Sequence, residues 1–272
     1  MCVIWRSLFF WCLLAPASFC QTDIHDELYD ALYLQKIIKT LHNEGIEHAI
    51  ESGKVYLGQD YDADSFENAV KKIYNLKMMD NFTRKSLIQK LSKEKAEVAL
   101  KFFSKGLGAR VALLETSARS AISYKEVEAA AVQMAKDAKS EDTARYSMLE
   151  QNIKDLELVE LNMTGAFSAQ YAFLSNLSAL DEMPLGNDDI VTLLLESEEE
   201  MRQDIVDWLM GFTHMAYTPL SDEELKAYLT FLTSADGKAL NLALFHIFNG
   251  LSIQTSGDLA DVIVSFRKAR EL

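Results

Sequence analysis

The most recognisable chemical pattern in the chain is a set of three alternating aspartates, Asp60, Asp62 and Asp64. Alternating carboxylates open the calcium loop of an EF-hand, because Ca²⁺ prefers hard oxygen ligands. The rest of that loop is missing, since Ser65 stands where it needs glycine and Lys71 stands where it needs a bidentate glutamate. The pattern is more typical of an acidic helix N-terminus, so it predicts no metal site.

Histidines would ligate zinc or transfer protons only if partners lay at suitable spacing. His42 and His48 have Glu44 and Glu47 nearby, but a six-residue separation turns a helix by about 240°. The imidazoles would face apart, whereas a zinc site on a helix needs an i, i+4 pair. The other histidines are each alone in the sequence: His25, His214 and His246. With no Gly-x-Ser-x-Gly motif or phosphate-binding glycine loop either, the sequence predicts no enzyme, no catalytic residue, no cofactor and no metal.

The strongest candidate for a ligand contact is a carboxylate within an apolar helical stripe. Over about residues 142–180, apolar side chains recur at alternating steps of four and three, and Glu160 and Gln170 fall within this series. A carboxylate that faces apolar helices must be paired or shift its pKa. Glu160, Asn162 and Gln170 are therefore candidates for contact with a ligand or partner. The alternative, which is favoured, is that Glu160 fixes the register of its helix or pairs with a Lys or Arg of a neighbouring helix.

The elements that position these residues are all expected to be helices. Only Pro184 and Pro219 remain after the first 20 residues, which is too few prolines for a β-sandwich or a β-barrel. The apolar spacing predicts an all-α, multi-helix bundle. The expected elements are a helix from Asp23 to about His42, helix breaks at Gly45, Gly53 and Gly58, a long central helix over about 142–180, a break over 181–187, and a last helix from about Asp258.

A 21-residue pattern occurs twice, beginning at Leu91 and again 129 positions later at Leu220. Ser92 and Ser221 stand where a side chain can cap a helix N-terminus, and Glu224 completes a Ser-x-x-Glu capping box. Glycine is favoured at helix C-termini, where the chain reverses.

The repeat therefore predicts two related helical hairpins, over about residues 91–139 and 220–251. Gly108 and Gly237 are expected at their corners. In the first hairpin, the second helix is expected to run without interruption from about Ala109 to about Lys139.

The first 20 residues have the pattern of a secretory signal peptide. Arg6 precedes an apolar run, and Ala15-Pro16-Ala17 fits the small-x-small cleavage rule. We expect cleavage after Ala17 or Cys20, then an N-terminal helical half over 21–180 and a C-terminal half over 187–272. All three cysteines lie in the first 20 residues, so the mature chain would contain no disulfide.

The charge of the chain limits its partners. A formal net charge of −14 repels nucleic-acid backbones and anionic lipid surfaces. No apolar run after residue 20 is long enough to cross a bilayer. We expect no nucleic-acid partner and no integral membrane span once the signal peptide is removed.

Two stretches resemble a known family. One is Tyr217–Leu225 followed by Phe231 and Gly237, and the other is Leu158–Asn162 with Gly165. Together they resemble DUF2059, a secreted helical family of Gram-negative bacteria, including its alphaproteobacterial members. The family usually has proline in the Ser-x-x-Gly corner, where this chain has Ser234-Ala235-Asp236-Gly237. The resemblance implies export to the periplasm and an α-helical fold, and it implies no known reaction.

Two functions fit these expectations. The first is a non-enzymatic periplasmic interaction or scaffold protein that presents grooves between its hairpins to an envelope protein. The second is a carrier of a small apolar molecule or lipid, held in an apolar cleft between helices with Glu160 and Gln170 as orienting polar groups.

Overall fold

The computed structural model describes residues 23–141, 143–178 and 185–270. Within these ranges the protein is an all-α, multi-helix bundle without strands, as predicted. The predicted signal peptide, with its cysteines and both cleavage sites, lies outside the described residues, as does most of the predicted break over 181–187.

The helices account for nearly all of the described chain. In order they are α1 (Ile24–Ala31), α2 (Leu34–Leu57), α3 (Ala63–Ile73), α4 (Leu76–Lys90), α5 (Lys93–Phe103), α6 (Gly106–Ala121), α7 (Lys125–Ser140), α8 (Ala144–Asp155), α9 (Leu158–Ser178), α10 (Asn187–Glu196), α11 (Glu198–Tyr217), α12 (Asp222–Thr233) and α13 (Ala235–Arg270).

The first predicted helix begins as expected, with Asp23 as the N-cap of α1, but its course and its end differ from the prediction. The chain breaks at Tyr33, which adopts a left-handed conformation with φ 53°. The next helix, α2, then continues through Gly45 and Gly53. These glycines are not breaks, because each makes room for an aromatic ring: a Cβ atom at Gly45 would overlap the Tyr74 ring, and one at Gly53 would overlap the Phe66 ring. Only Gly58, with φ 73°, ends the helix.

The two repeat hairpins are α5–α6 and α12–α13, and their N-caps follow the predicted spacing. Ser92 Oγ accepts a hydrogen bond from Lys95 N at 3.4 Å, and Ser221 Oγ accepts one from Glu224 N at 3.2 Å. Glu224 Oε2 in turn accepts from Ser221 N at 3.0 Å, which completes the capping box.

The corner glycines lie inside the second helix of each hairpin and do not end the first, which corrects the predicted position. The reason is the same in both repeats. A Cβ atom at Gly108 would overlap the carbonyl oxygen of Phe102, and one at Gly237 would overlap that of Phe231. The rings of Phe102 and Phe231 stack with centroids 3.9 Å apart, so the repeats pack together through equivalent residues.

Two predicted helix lengths are also wrong. The helix expected over 109–139 is divided into α6 and α7, because the chain turns at Ile122, which is buried. The break expected between Leu251 and Asp258 is absent, since α13 runs unbroken for 36 residues. Its Gly250 lies beneath the Phe82 ring of α4, so this glycine serves close packing.

The predicted central helix over 142–180 is wrong as well. It is two helices, α8 and α9, separated at Glu157, whose φ is 52°. A non-glycine residue in this conformation costs about 1–2 kcal/mol, and burial of Ile153 and Leu156 before the turn and of Met163 after it offsets that cost. The long axis of the bundle is α13, which packs along α9. Gly165 allows this contact, because a Cβ atom there would overlap the Asn249 side chain.

Candidate functional site

A cavity of about 390 Å³ lies between α2, α6, α11 and α13, and α8 and α9 close one side. This volume is within the range of sites that enclose small ligands, roughly 300–1,000 Å³. Most of its wall is leucine and aromatic, including Leu34, Leu41, Phe103, Trp208, Leu244 and Phe248. On α13 the residues that line it follow the i, i+3, i+4 spacing of one helix face. The site is therefore an apolar interior with a few polar groups.

Among the described residues of this wall, the acidic group is Glu115 on α6, which is partly buried. Its Oε1 atom accepts hydrogen bonds from Tyr217 Oη of α11 and Tyr228 Oη of α12, each at 2.6 Å. Burial raises the pKa of the Glu115 carboxyl group, and the two phenol donors partly oppose that rise. Burial, followed by the charge of Glu115, raises the pKa of both tyrosines. The three side chains hold α6, α11 and α12 together at one end of the cavity.

Asn152 of α8 also lines the cavity, and its amide is incompletely bonded. The residue is 8% exposed, yet its Nδ2 atom has no hydrogen-bond partner among the described residues. Leaving a buried donor unpaired costs about 1–3 kcal/mol, and because this atom has almost no accessible surface, a ligand in the cavity does not reach it in this structure. The neighbouring Asn162 differs, because its Nδ2 atom donates to the Leu158 carbonyl oxygen at 2.8 Å.

The cationic group of the wall is Arg119, and its charge is already compensated. Its two terminal nitrogens donate to the two carboxylate oxygens of Glu44, each at 2.6 Å. Trp208 lies beside the guanidinium group, with its ring centroid 6.0 Å away. Because a two-point ion pair of this kind fixes both partners, Arg119 offers little free positive charge to an anionic ligand.

The structure places only one of the three predicted ligand residues in this site. Asn162 lines the cavity, whereas Gln170 lies exposed on α9. Glu160 is exposed too, and it pairs with Arg202 of α11 at 2.5 Å. That ion pair lowers the pKa of Glu160.

The prediction of Glu160 as a cleft residue is therefore wrong, and its alternative, a pair with an arginine of a neighbouring helix, is correct. The reason is the turn at Glu157, which rotates α9 relative to α8 and removes Glu160 from the apolar face.

Glu115 and Asn152 are not among the site residues predicted from the sequence, although the spacing of each relative to buried residues indicates an inward-facing position. Glu115 lies four residues after Val111 and three before Ala118, which are both buried, so it shares their helix face. Asn152 likewise lies three residues after the buried Leu149. In both cases the sequence signal is a polar side chain at the helical spacing of buried residues. The contacts that distinguish Glu115 and Asn152 from other such polar residues come from distant parts of the chain and are visible only in the structure.

The other patterns have structural roles. Asp62 caps α3 by accepting from Ser65 N at 3.1 Å, which agrees with its interpretation as a helix-start acid. Across 23–141, 143–178 and 185–270, no group of three or more His, Cys, Asp or Glu side chains is placed to hold a metal ion. Nor does any helix in those ranges combine the length and apolar character that a bilayer crossing requires.

No protein-family model, curated protein or solved structure matches this chain. The resemblance to DUF2059 therefore stays a prediction. What the structure establishes is an all-α bundle with a largely apolar cavity between its helices.

Proposed function

We propose that this protein binds a small, largely apolar molecule between its helices and carries it or responds to it. The observation that supports this function is the cavity itself, whose wall is mostly apolar and includes a few polar side chains, among them Glu115 and Asn162. Such a combination is typical of ligand sites, where the apolar wall supplies affinity and a few polar groups orient the ligand.

The apolar wall determines which ligands the site favours. Each ligand methylene that leaves water contributes about 0.8 kcal/mol. A mostly apolar molecule therefore matches the site better than a sugar or a phosphate, whose polar groups would remain unpaired.

The uncharged fluorophore phenylnaphthylamine tests this function, because it becomes brighter in apolar surroundings. We expect saturable binding by the wild-type chain and loss of binding in Ala112→Leu, since Ala112 lines the cavity. Ala243→Leu is the matched control: Ala243 is equally buried, at 2% exposure, and does not line the cavity. Equal binding by the wild-type chain and both variants would show that the fluorophore binds elsewhere and would contradict the proposal.

The interaction or scaffold function predicted from the sequence, its envelope partner and the periplasmic location all stay predictions. A protein partner retained after mild cross-linking in the periplasm would support the scaffold function. Fractionation of producing cells tests the location directly. Neither function includes a reaction, in keeping with the expectation that the chain is not an enzyme.

A further inference from the structure

Glu115 has no basic partner among the described residues. Its hydrogen bonds come from two tyrosine hydroxyls, and both end on Oε1. The pKa of Glu115 is influenced by its burial and by the hydrogen bonds of these same two tyrosines. No lysine, arginine or histidine contributes to the shift. A partly buried carboxylate without a cation is unfavourable, because hydrogen bonds alone replace only part of its hydration. Burial accordingly raises its pKa, and a cation bound beside it would stabilise the ionised form.

The surroundings of Glu115 suit a cation with an apolar body. The Tyr217 and Tyr228 rings lie edge to face with centroids 5.5 Å apart, and Phe103, Phe245 and other aromatic side chains continue the cavity wall. Aromatic faces attract cations through their quadrupole. The same rings bury the alkyl or aryl part of a ligand.

The charges around the cavity disfavour an anion. Among the described residues of its wall, the charged side chains are Glu115 and Arg119, and Arg119 is held by Glu44. The net charge of the whole chain, −14, adds a long-range attraction for cations and repulsion for anions. A fatty-acid carboxylate would thus meet a second carboxylate at Glu115 without a free arginine to compensate.

We propose that the ligand is a lipophilic amine, whose ammonium group pairs with the Glu115 carboxylate beside Tyr217 and Tyr228 while its apolar body fills the cavity. This assignment rests on the proposed function and narrows it to one class of ligand. The pairing adds a charge-assisted hydrogen bond in a largely apolar site, where such bonds are strong.

Three probes with the same alkyl chain test the assignment by isothermal titration calorimetry below their micelle concentrations: decylamine, decanol and decanoate. Near neutral pH the amine is protonated, as lysine is. We expect decylamine to bind the wild-type chain about tenfold tighter than decanol or more, on the scale of a hydrogen bond to a charged group, and decanoate to bind weakest. This comparison requires no variant.

Glu115→Gln then separates charge from structure. The amide oxygen still accepts from both tyrosines, so decanol binding should be unchanged while decylamine falls to the affinity of decanol. Glu97→Gln is the matched control, because Glu97 is exposed and its substitution changes the net charge equally. Wild-type affinity of this control for decylamine shows that the local carboxylate, and not the overall charge, selects the amine.

The outcomes distinguish the two proposals. If decanol and phenylnaphthylamine bind but decylamine has no advantage, or if Glu115→Gln weakens decylamine and decanol equally, the amine assignment is wrong and the proposed function stands. If none of the probes binds, neutral or charged, the proposed function fails and the amine assignment falls with it.

Discussion

Enlarging one alanine gives the sharpest thermodynamic test of the cavity. Ala112 is 2% exposed and lines the cavity on α6. Substitution by leucine adds three carbons, worth up to about 2.4 kcal/mol if they fill apolar space without strain. About 0.5–1 kcal/mol of side-chain entropy opposes this gain. We therefore expect Ala112→Leu to raise the free energy of unfolding by about 1–2 kcal/mol.

The same substitution at Ala243 should have the opposite sign. Ala243 is as buried as Ala112 but does not line the cavity, so three extra carbons must displace packed neighbours at a cost of about 1–3 kcal/mol. Both changes replace alanine by leucine within a helix, so their helix-propensity terms are alike. Urea denaturation measures each variant, with unchanged m-values as the check on two-state unfolding. If Ala112→Leu were destabilised as much as Ala243→Leu, α6 would face packed protein at this position, which would contradict the cavity.

Three further predictions concern the repeat, pH and the corrected site. Gly108→Ala and Gly237→Ala should each lower the free energy of unfolding by about 1–3 kcal/mol, because the new Cβ meets a backbone carbonyl oxygen. Thermal or urea unfolding measures this effect. An unchanged free energy of unfolding at either glycine would contradict the geometry that the two repeats share. Burial and Arg145 lower the pKa of His214 below 6.5, so as the pH falls below 6.5 the unfolded chain takes up a proton that the folded chain does not. Stability should then decline by at most about 1.4 kcal/mol per pH unit, and urea midpoints should show a weaker decline in His214→Gln. Glu160→Leu should leave phenylnaphthylamine affinity unchanged, since Glu160 is exposed and paired with Arg202; a large loss of affinity would return Glu160 to the site.

The parts of the fold that depend on local interactions were predictable. The all-α class follows from composition and periodicity, and the N-caps at Ser92 and Ser221 involve residues only three positions away. The positions at which the helices break were not predictable from the sequence, because they depend on tertiary packing. Gly45 stays within α2 because the Tyr74 ring fills its place, whereas Glu157 leaves the helix because burial on either side offsets a strained conformation.

The candidate site was harder to predict than the fold, and the reason is distance along the chain. Glu115 meets tyrosines that are 102 and 113 positions away, and no local pattern brings those residues together. The sequence pattern makes Glu160 a candidate because the apolar spacing continues without a break over about residues 142–180. A single left-handed residue at Glu157 changes which side chains face inward, so an error of one turn moved the expected site from the cavity to the surface.

The most direct test of the cavity as a ligand site is anomalous diffraction from crystals grown with bromodecanol, a neutral apolar ligand whose bromine can be located. We expect a bromine peak between α6, α11 and α13, bounded by the Phe103 and Phe248 side chains, and no such peak in Ala112→Leu. Well-diffracting wild-type crystals in which these helices close on one another, or in which bromine occupies only surface positions, would contradict it.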